Sequence, residues 1–147
     1  MSETSRVIDA TPERIFAVLA DGWSYASWVV GAAHIRDVED GWPAVGTSIH
    51  HRVGPWPVQI NDSTTVRAME PARLLELDAR MWPLGRAVIR LTLEPATPTS
   101  TLVRMAETVV SGAVRSLPDP VQALLLKPRN AEALGRLGDI AVHRRPV

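Results

Sequence analysis

The sequence predicts an α+β fold in which a curved antiparallel sheet of seven strands wraps a long C-terminal helix, with two short helices after the first strand. Three observations predict it. Residues 34–112 alternate apolar and polar positions and are broken at short intervals by Gly- and Pro-containing turns. Beyond Gly112 the apolar spacing changes from two residues to three and four. Seven strands with one apolar face must cover it, and only that last segment is long enough to do so. Side chains cannot fill all the space between a curled sheet and one helix, which predicts a cavity, although a filled core reads much the same in pattern.

Residues 5–10 alternate as a first strand. Thr11 then caps a helix, Pro12 suits its first position, and Glu13 faces the positive end of its dipole. Ile15, Phe16 and Leu19 form one apolar face, and Asp21-Gly22 stops the helix because glycine enters the left-handed region at little cost. Residues 23–28 read as a second short helical turn with Tyr25 and Trp28 on a shared face. Strands follow over residues 33–39, 46–53, 57–69, 74–81, 86–94 and 101–110. Their hairpin-length connections make the sheet an antiparallel meander. Trp82-Pro83-Leu84-Gly85 reads as a turn, and residues 95–100 as a Pro- and Thr-rich loop. In the last helix Val121, Leu124, Leu125, Ala131, Leu134, Leu137 and Ala141 recur at three and four residues, after Pro118 and Pro120. Pro128 lacks a backbone donor and clashes with the preceding turn, so a break or kink is expected there. Gly135 and Gly138 leave room for a ligand or for close packing on the sheet.

With 147 residues the chain is the size of one domain, residues 1–147, large enough to bury a core without staples. Sixteen basic and sixteen acidic side chains cancel, so no basic field draws in a nucleic acid. The absence of cysteine excludes disulfides, thiolate catalysis and Cys-type zinc sites. The polar start of the chain lacks the apolar core of a signal peptide, and no apolar run reaches the roughly 20 residues that cross a bilayer. A cytoplasmic protein without stable membrane insertion is expected; the sequence is silent on oligomeric state. No phosphate loop, zinc-helix, nucleophile-elbow or calcium-loop motif occurs, so no cofactor is expected. His50 and His51 are adjacent, but neighbours in a strand point to opposite faces and cannot share one metal ion.

Several segments together resemble the START-related superfamily, the helix-grip or birch-pollen-allergen fold, and within it the bacterial polyketide cyclase/dehydrase-like (SRPBCC) proteins. They are Ile8-Asp9-Ala10-Thr11-Pro12-Glu13-Arg14-Ile15-Phe16, Trp28-Val29-Val30-Gly31, Trp42-Pro43-Ala44-Val45-Gly46-Thr47, Trp82-Pro83-Leu84-Gly85, Met105-Ala106-Glu107 with Ser111-Gly112, and Arg129-Asn130 with Leu134 and Arg136-Leu137. Their order and spacing carry the resemblance over essentially the whole chain. Ala113 departs from it, standing where a proline is expected after Ser111-Gly112. The resemblance implies the helix-grip architecture and an internal cavity for a small hydrophobic molecule such as a lipid, polyketide or isoprenoid. The fold hosts carriers, sensors and cyclases alike, so it does not by itself imply a reaction.

Within that frame Glu107 is the informative residue. It shares its strand phase with Val103, Met105 and Val109, which puts a carboxylate on the inner face. A buried carboxylate must pair, reach water or take up a proton, and burial favours the neutral form unless His51 or an arginine of the last helix swings in. Arg86, Arg90 and Arg104 are out of phase. Glu107 is thus a ligand anchor, a general acid or base, or a structural carboxylate. His51, in phase with Ile49 and Val53, is a second inward polar group or a half-buried histidine at the rim. Asp62 and Thr64 share a phase with Val58, Ile60 and Val66. Trp23, Tyr25, Trp28, Trp56 and Trp82 either frame a cavity mouth or pack at the rim. Arg129-Asn130 reads first as serving carbonyls freed by Pro128. The expected ligand-binding set is Glu107, His51, Trp28, Tyr25, Thr64, Met105, Leu91 and Leu77. The leading function is binding of a small hydrophobic ligand. The alternatives are a cyclase or dehydratase using Glu107 and His51 as acid and base, and a protein-interaction module.

Overall fold

A computed structural model, which describes residues 1–30, 32–53, 60–81 and 85–144, joins seven strands into one curved antiparallel sheet. The strands are β1 (Ser2–Ile8), β2 (Ala32–Val38), β3 (Ser48–Val53), β4 (Ile60–Glu70), β5 (Leu74–Met81), β6 (Gly85–Thr97) and β7 (Ser100–Ser111). β2 to β7 form the expected meander, and β1 pairs with β7, giving the order β1-β7-β6-β5-β4-β3-β2. The chain between the two edge strands holds α1 (Pro12–Ala20), a single 3₁₀ turn (Gly22–Ser24) and the short α2 (Tyr25–Trp28); α3 (Asp119–His143) follows β7.

Most starts and stops have the expected local cause. Thr11 Oγ1 accepts the Arg14 N–H at 3.3 Å, with Pro12 in the first turn of α1. β1 begins at Ser2 and ends at Ile8 rather than covering residues 5–10. Its early start comes from pairing along β7, from Ser2 opposite Glu107 to Ile8 opposite Thr101. Its early end comes from the Ala10 N–H turning back to Ile8 O at 2.8 Å, while Thr101 Oγ1 donates to Ala10 O at 2.7 Å. The loop expected over residues 95–100 is instead mostly the tip of the β6–β7 hairpin, where Pro95 faces Thr101 and Thr97 faces Ser100. The register shifts between Pro95 and Thr97, and a bulge of this kind is one of the places where a sheet tolerates a proline.

The last helix differs from expectation in two ways. It runs unbroken through Pro128. The donor that proline lacks would have served the carbonyl of Leu124, and both residues are exposed, so water can serve that carbonyl instead. Its buried stripe is Leu126, Asn130, Ala133, Leu134, Leu137, Gly138 and Ala141. Val121, Leu124 and Leu125 are 41%, 78% and 51% exposed, and Ala131 is exposed too. Leu126 joins Val109 and Val114 in a small cluster below the main core. The glycines of the helix serve packing. A Cβ on Gly138 would lie 3.3 Å from Ile8 Cγ1, so the absence of one lets α3 press onto β1. Gly135 faces Arg6 of the same strand. Arg14 of α1 donates to the carbonyls of Val142 and Arg144 at 3.1 and 3.0 Å, which holds the far end of α3 in place. Among the described residues no helix is long and apolar enough to cross a membrane.

Candidate functional site

β7 places Glu107 on the inner face between Met105 and Val109, where it is 3% exposed. An arginine of the last helix does reach it. Arg129 Nη1 lies 3.3 and 3.4 Å from the two carboxylate oxygens, and Asn130 Nδ2 donates to Oε1 at 2.9 Å. Asn130 stands in the buried stripe of α3, four residues after Leu126. Arg129 flanks the stripe and also donates from Nε to Val30 O at 3.1 Å, just beyond α2. The expectation that Arg129-Asn130 serves carbonyls freed by Pro128 is therefore corrected. The unbroken helix sends both side chains to Glu107 instead. Arg86, Arg90 and Arg104 pair on the outer side with Asp78, Glu76 and Glu94.

A second polar group is built from β3, β4 and α2. His51 is fully buried, and its Nε2 lies 2.9 Å from Thr64 Oγ1. Thr64 Oγ1 in turn lies 3.1 Å from the Tyr25 hydroxyl, and the Tyr25 ring stacks on His51 with centroids 5.6 Å apart. His51 Nδ1 is buried without a hydrogen-bond partner among the described residues. Burial, helped by the charges of Arg36 and His50, pulls the His51 pKa down to about 4, so its imidazole is neutral at pH 7. Burial pushes the Tyr25 phenol up to about 12; its hydrogen bond to Thr64 and the Arg129 charge oppose the shift, and the Glu107 charge adds to it. His50 points the other way and pairs with Glu39 at 2.9 Å.

The neutral state of His51 has a measurable consequence. Its folded value lies below the ordinary 6.5, so only the unfolded chain takes up a proton as the pH first falls. Stability is whole above about pH 6.5 and is lost as the pH drops towards the folded value. Between pH 7 and 5 this group should remove on the order of 2 kcal/mol. His51→Phe keeps a stacking ring and cannot titrate, so urea unfolding of that variant should be flatter over the same interval. An equal pH slope in both proteins would show that His51 is not the source.

Tyr25, Trp28, Val29 and Val30 on one side, Leu77, Ile89 and Met105 of the sheet, and Arg129, Asn130 and Ala133 of α3 surround a pocket. Tyr25 and Trp28 meet edge to face with centroids 5.5 Å apart. The free space within it is only about 10 Å³, room for roughly one water. The expected cavity is thus an apolar seat largely filled by its own side chains, as close packing favours. Of the expected site residues, Tyr25, Trp28, Leu77 and Met105 line it. Glu107 adjoins it through Arg129 and Asn130, and Thr64 and His51 adjoin it through Tyr25. Leu91 is buried in the core but does not line the pocket, and Asp62 is only half-buried. Trp23 is 60% exposed and is not among the described residues that line the pocket, while Trp56 and Trp82 lie outside the described residues. Sequence reasoning missed Val29, Val30, Ile89 and Ala133 as lining. It also ranked a structural role for Arg129 and Asn130 first, although a polar residue in phase with Leu126 and Leu134 was a usable signal for Asn130.

The sequence pattern of the family described as "Polyketide cyclase / dehydrase and lipid transport" matches residues 2–141. No curated protein is significantly similar in sequence. Solved structures share the fold. A Rhodobacter sphaeroides protein superposes with a TM-score of 0.70 at 23% identity, covering 95% of this chain and 91% of its own. The Zhui aromatase/cyclase of a Streptomyces species gives 0.68 at 15% identity, over 97% and 93% of the two chains. Ara h 8.0201 gives 0.68 at 15% identity over 95% of each. Sheet order, gripping helix and a match over nearly the full length agree, and the chain belongs to the polyketide cyclase/dehydrase and lipid transport family of the START-related, helix-grip superfamily.

Proposed function

We propose that residues 1–147 act as one ligand-binding domain that takes up a small hydrophobic molecule in the seat between α2, the sheet and α3. The observation that carries this reading is the composition of that seat. Apolar and aromatic side chains dominate its lining, and its few polar side chains include Tyr25, Arg129 and Asn130, the last two converging on Glu107. An apolar pocket with a few convergent polar groups is the usual form of a small-molecule site. Ligand entry requires the pocket to widen. Met105 is an adaptable filler, and the wall of Val29 and Val30 is tied to α3 through the Arg129 bond to Val30 O. A cyclase or dehydratase would need two titratable groups converging on one substrate. Glu107 is engaged by Arg129 and Asn130, whereas His51 spends Nε2 on Thr64, is not among the pocket-lining residues and sits on β3, with β4, β5 and β6 between it and β7. Binding therefore accounts for more of the arrangement than catalysis does.

The uncharged dye phenylnaphthylamine tests this. The protein should take it up saturably at one molecule per chain. Met105→Ala should tighten the uptake by enlarging the seat while costing about 2–5 kcal/mol of stability. Absence of saturable uptake in both proteins would identify the seat as ordinary core.

A further inference from the structure

We propose that the pocket selects uncharged ligands, hydrophobic molecules carrying a hydroxyl or carbonyl, and discriminates against carboxylates and ammonium ions. This rests on the binding reading above and names the ligand class of the same site.

The charge arrangement carries the inference. Arg129 is the one charged side chain among the described residues that line the pocket. Its guanidinium is already matched by Glu107, at 3.3 Å, and the two side chains are 15% and 3% exposed. Among the described residues the polar corner is therefore an opposed pair with no net charge and little access to water. A ligand carboxylate seeking Arg129 would have to share it with Glu107, leaving two carboxylates and one guanidinium in a desolvated corner. An ammonium seeking Glu107 would leave the reverse excess. Both cost far more in a dry site than at a surface, because an unbalanced charge there has no solvent to answer it. The neighbouring titratable groups add no charge: near neutral pH Tyr25 keeps its proton and His51 carries none in excess.

Tyr25 lines the pocket, and its hydroxyl ends the chain Tyr25–Thr64–His51, which sets the polar group a ligand reaching it can carry. Each hydroxyl has one proton and can point it either way. When His51 Nε2 carries the ring proton, it donates to Thr64, Thr64 donates to the Tyr25 oxygen, and the Tyr25 O–H is left to donate to a ligand carbonyl. In the other tautomer Tyr25 donates to Thr64 and Thr64 to Nε2, which leaves the Tyr25 oxygen to accept from a ligand hydroxyl. Among the described residues His51 Nδ1 lacks a partner in both cases, as an acceptor in the first tautomer and as an N–H in the second. One buried chain can thus answer a neutral donor or a neutral acceptor without moving a charge.

Naphthol, naphthoate and naphthylmethylammonium, substituted at the same ring carbon, keep the apolar body constant. Calorimetric titration near neutral pH should show naphthol binding at one molecule per chain and the two ions binding on the order of 100-fold more weakly. Glu107→Gln removes the carboxylate charge opposite the guanidinium and should raise the affinity for naphthoate relative to naphthol by about tenfold or more. Naphthoate or the ammonium binding the unaltered protein within about threefold of naphthol would overturn the selection while leaving the binding reading intact. A folded Glu107→Gln protein with unchanged preference would also overturn it. If that variant does not fold, the ratio in the unaltered protein decides alone. Failure of all three probes to bind would remove the binding reading, and this inference with it.

Discussion

Leu137→Asp is expected to leave no soluble, cooperatively melting protein, whereas Leu124→Asp in the same helix is expected to melt as the parent does. Leu137 is fully buried where α3 meets the main core, and Leu124 is 78% exposed. Truncating a leucine in such a place costs about 2–5 kcal/mol, before the cost of an unpaired buried carboxylate is added. A domain is stable by only about 5–15 kcal/mol, so the sum removes most or all of it. At position 124 the carboxylate meets water, and surface substitutions usually stay within about 0.5 kcal/mol. Both leucines belong to the same three-and-four repeat in the sequence, so the pair decides which stripe of the helix grips the sheet. Soluble yield and thermal melting by circular dichroism read the result. Cooperative melting of Leu137→Asp, or collapse of Leu124→Asp, would contradict the packing described for α3.

That helix also shows where sequence reasoning stops. Strand phase is a local property, so alternation alone put Glu107 inside with Val103, Met105 and Val109 and kept Arg104 outside. The same logic placed His51 inward beside Ile49, and the Thr11-Pro12 start of α1 is likewise written in adjacent residues. A helical repeat with apolar residues at 121, 124 and 125 as well as 126, 134 and 137 has more than one solution. The choice between them depends on where β7 and the start of α3 lie in space. Asn130, polar within the true stripe, concealed it further, because its partner Glu107 is 23 residues away in sequence. The extension of β1 to Ser2 has the same origin, since its partner Glu107 belongs to the last strand. The meeting of Tyr25, Thr64 and His51 joins three separate elements, so only the inward direction of each was legible. Among the tryptophans, helical spacing paired Trp28 with Tyr25 but gave no reason to separate Trp23, which faces solvent. How far the side chains would fill the pocket depends on their volumes in one particular packing, and no periodicity records that.

Arg129→Met is expected to destabilise the fold by about 3–5 kcal/mol, and adding Glu107→Gln to it is expected to restore much of the loss. The asymmetry comes from burial. Removing the guanidinium leaves the Glu107 carboxyl group, 3% exposed, without its cation and with Asn130 as its remaining hydrogen-bond donor among the described residues. Removing the carboxylate charge instead leaves Arg129, 15% exposed, still bonded to Val30 O, so Glu107→Gln alone should cost less. Glutamine keeps an amide oxygen that Asn130 Nδ2 can still reach, so shape and one hydrogen bond survive. In the double variant no charge is left in the corner, and methionine fills much of the volume of the arginine stem. Urea unfolding of the four proteins near neutral pH gives the coupling energy of the pair directly, and residues in one network show about 0.5–3 kcal/mol of it. The cycle also cancels the loss of the Val30 bond, which accompanies Arg129→Met with or without the carboxylate. Simple additivity of the two single losses would mean that Glu107 is not stabilised by Arg129. The polar corner of the pocket would then be held by Asn130 alone.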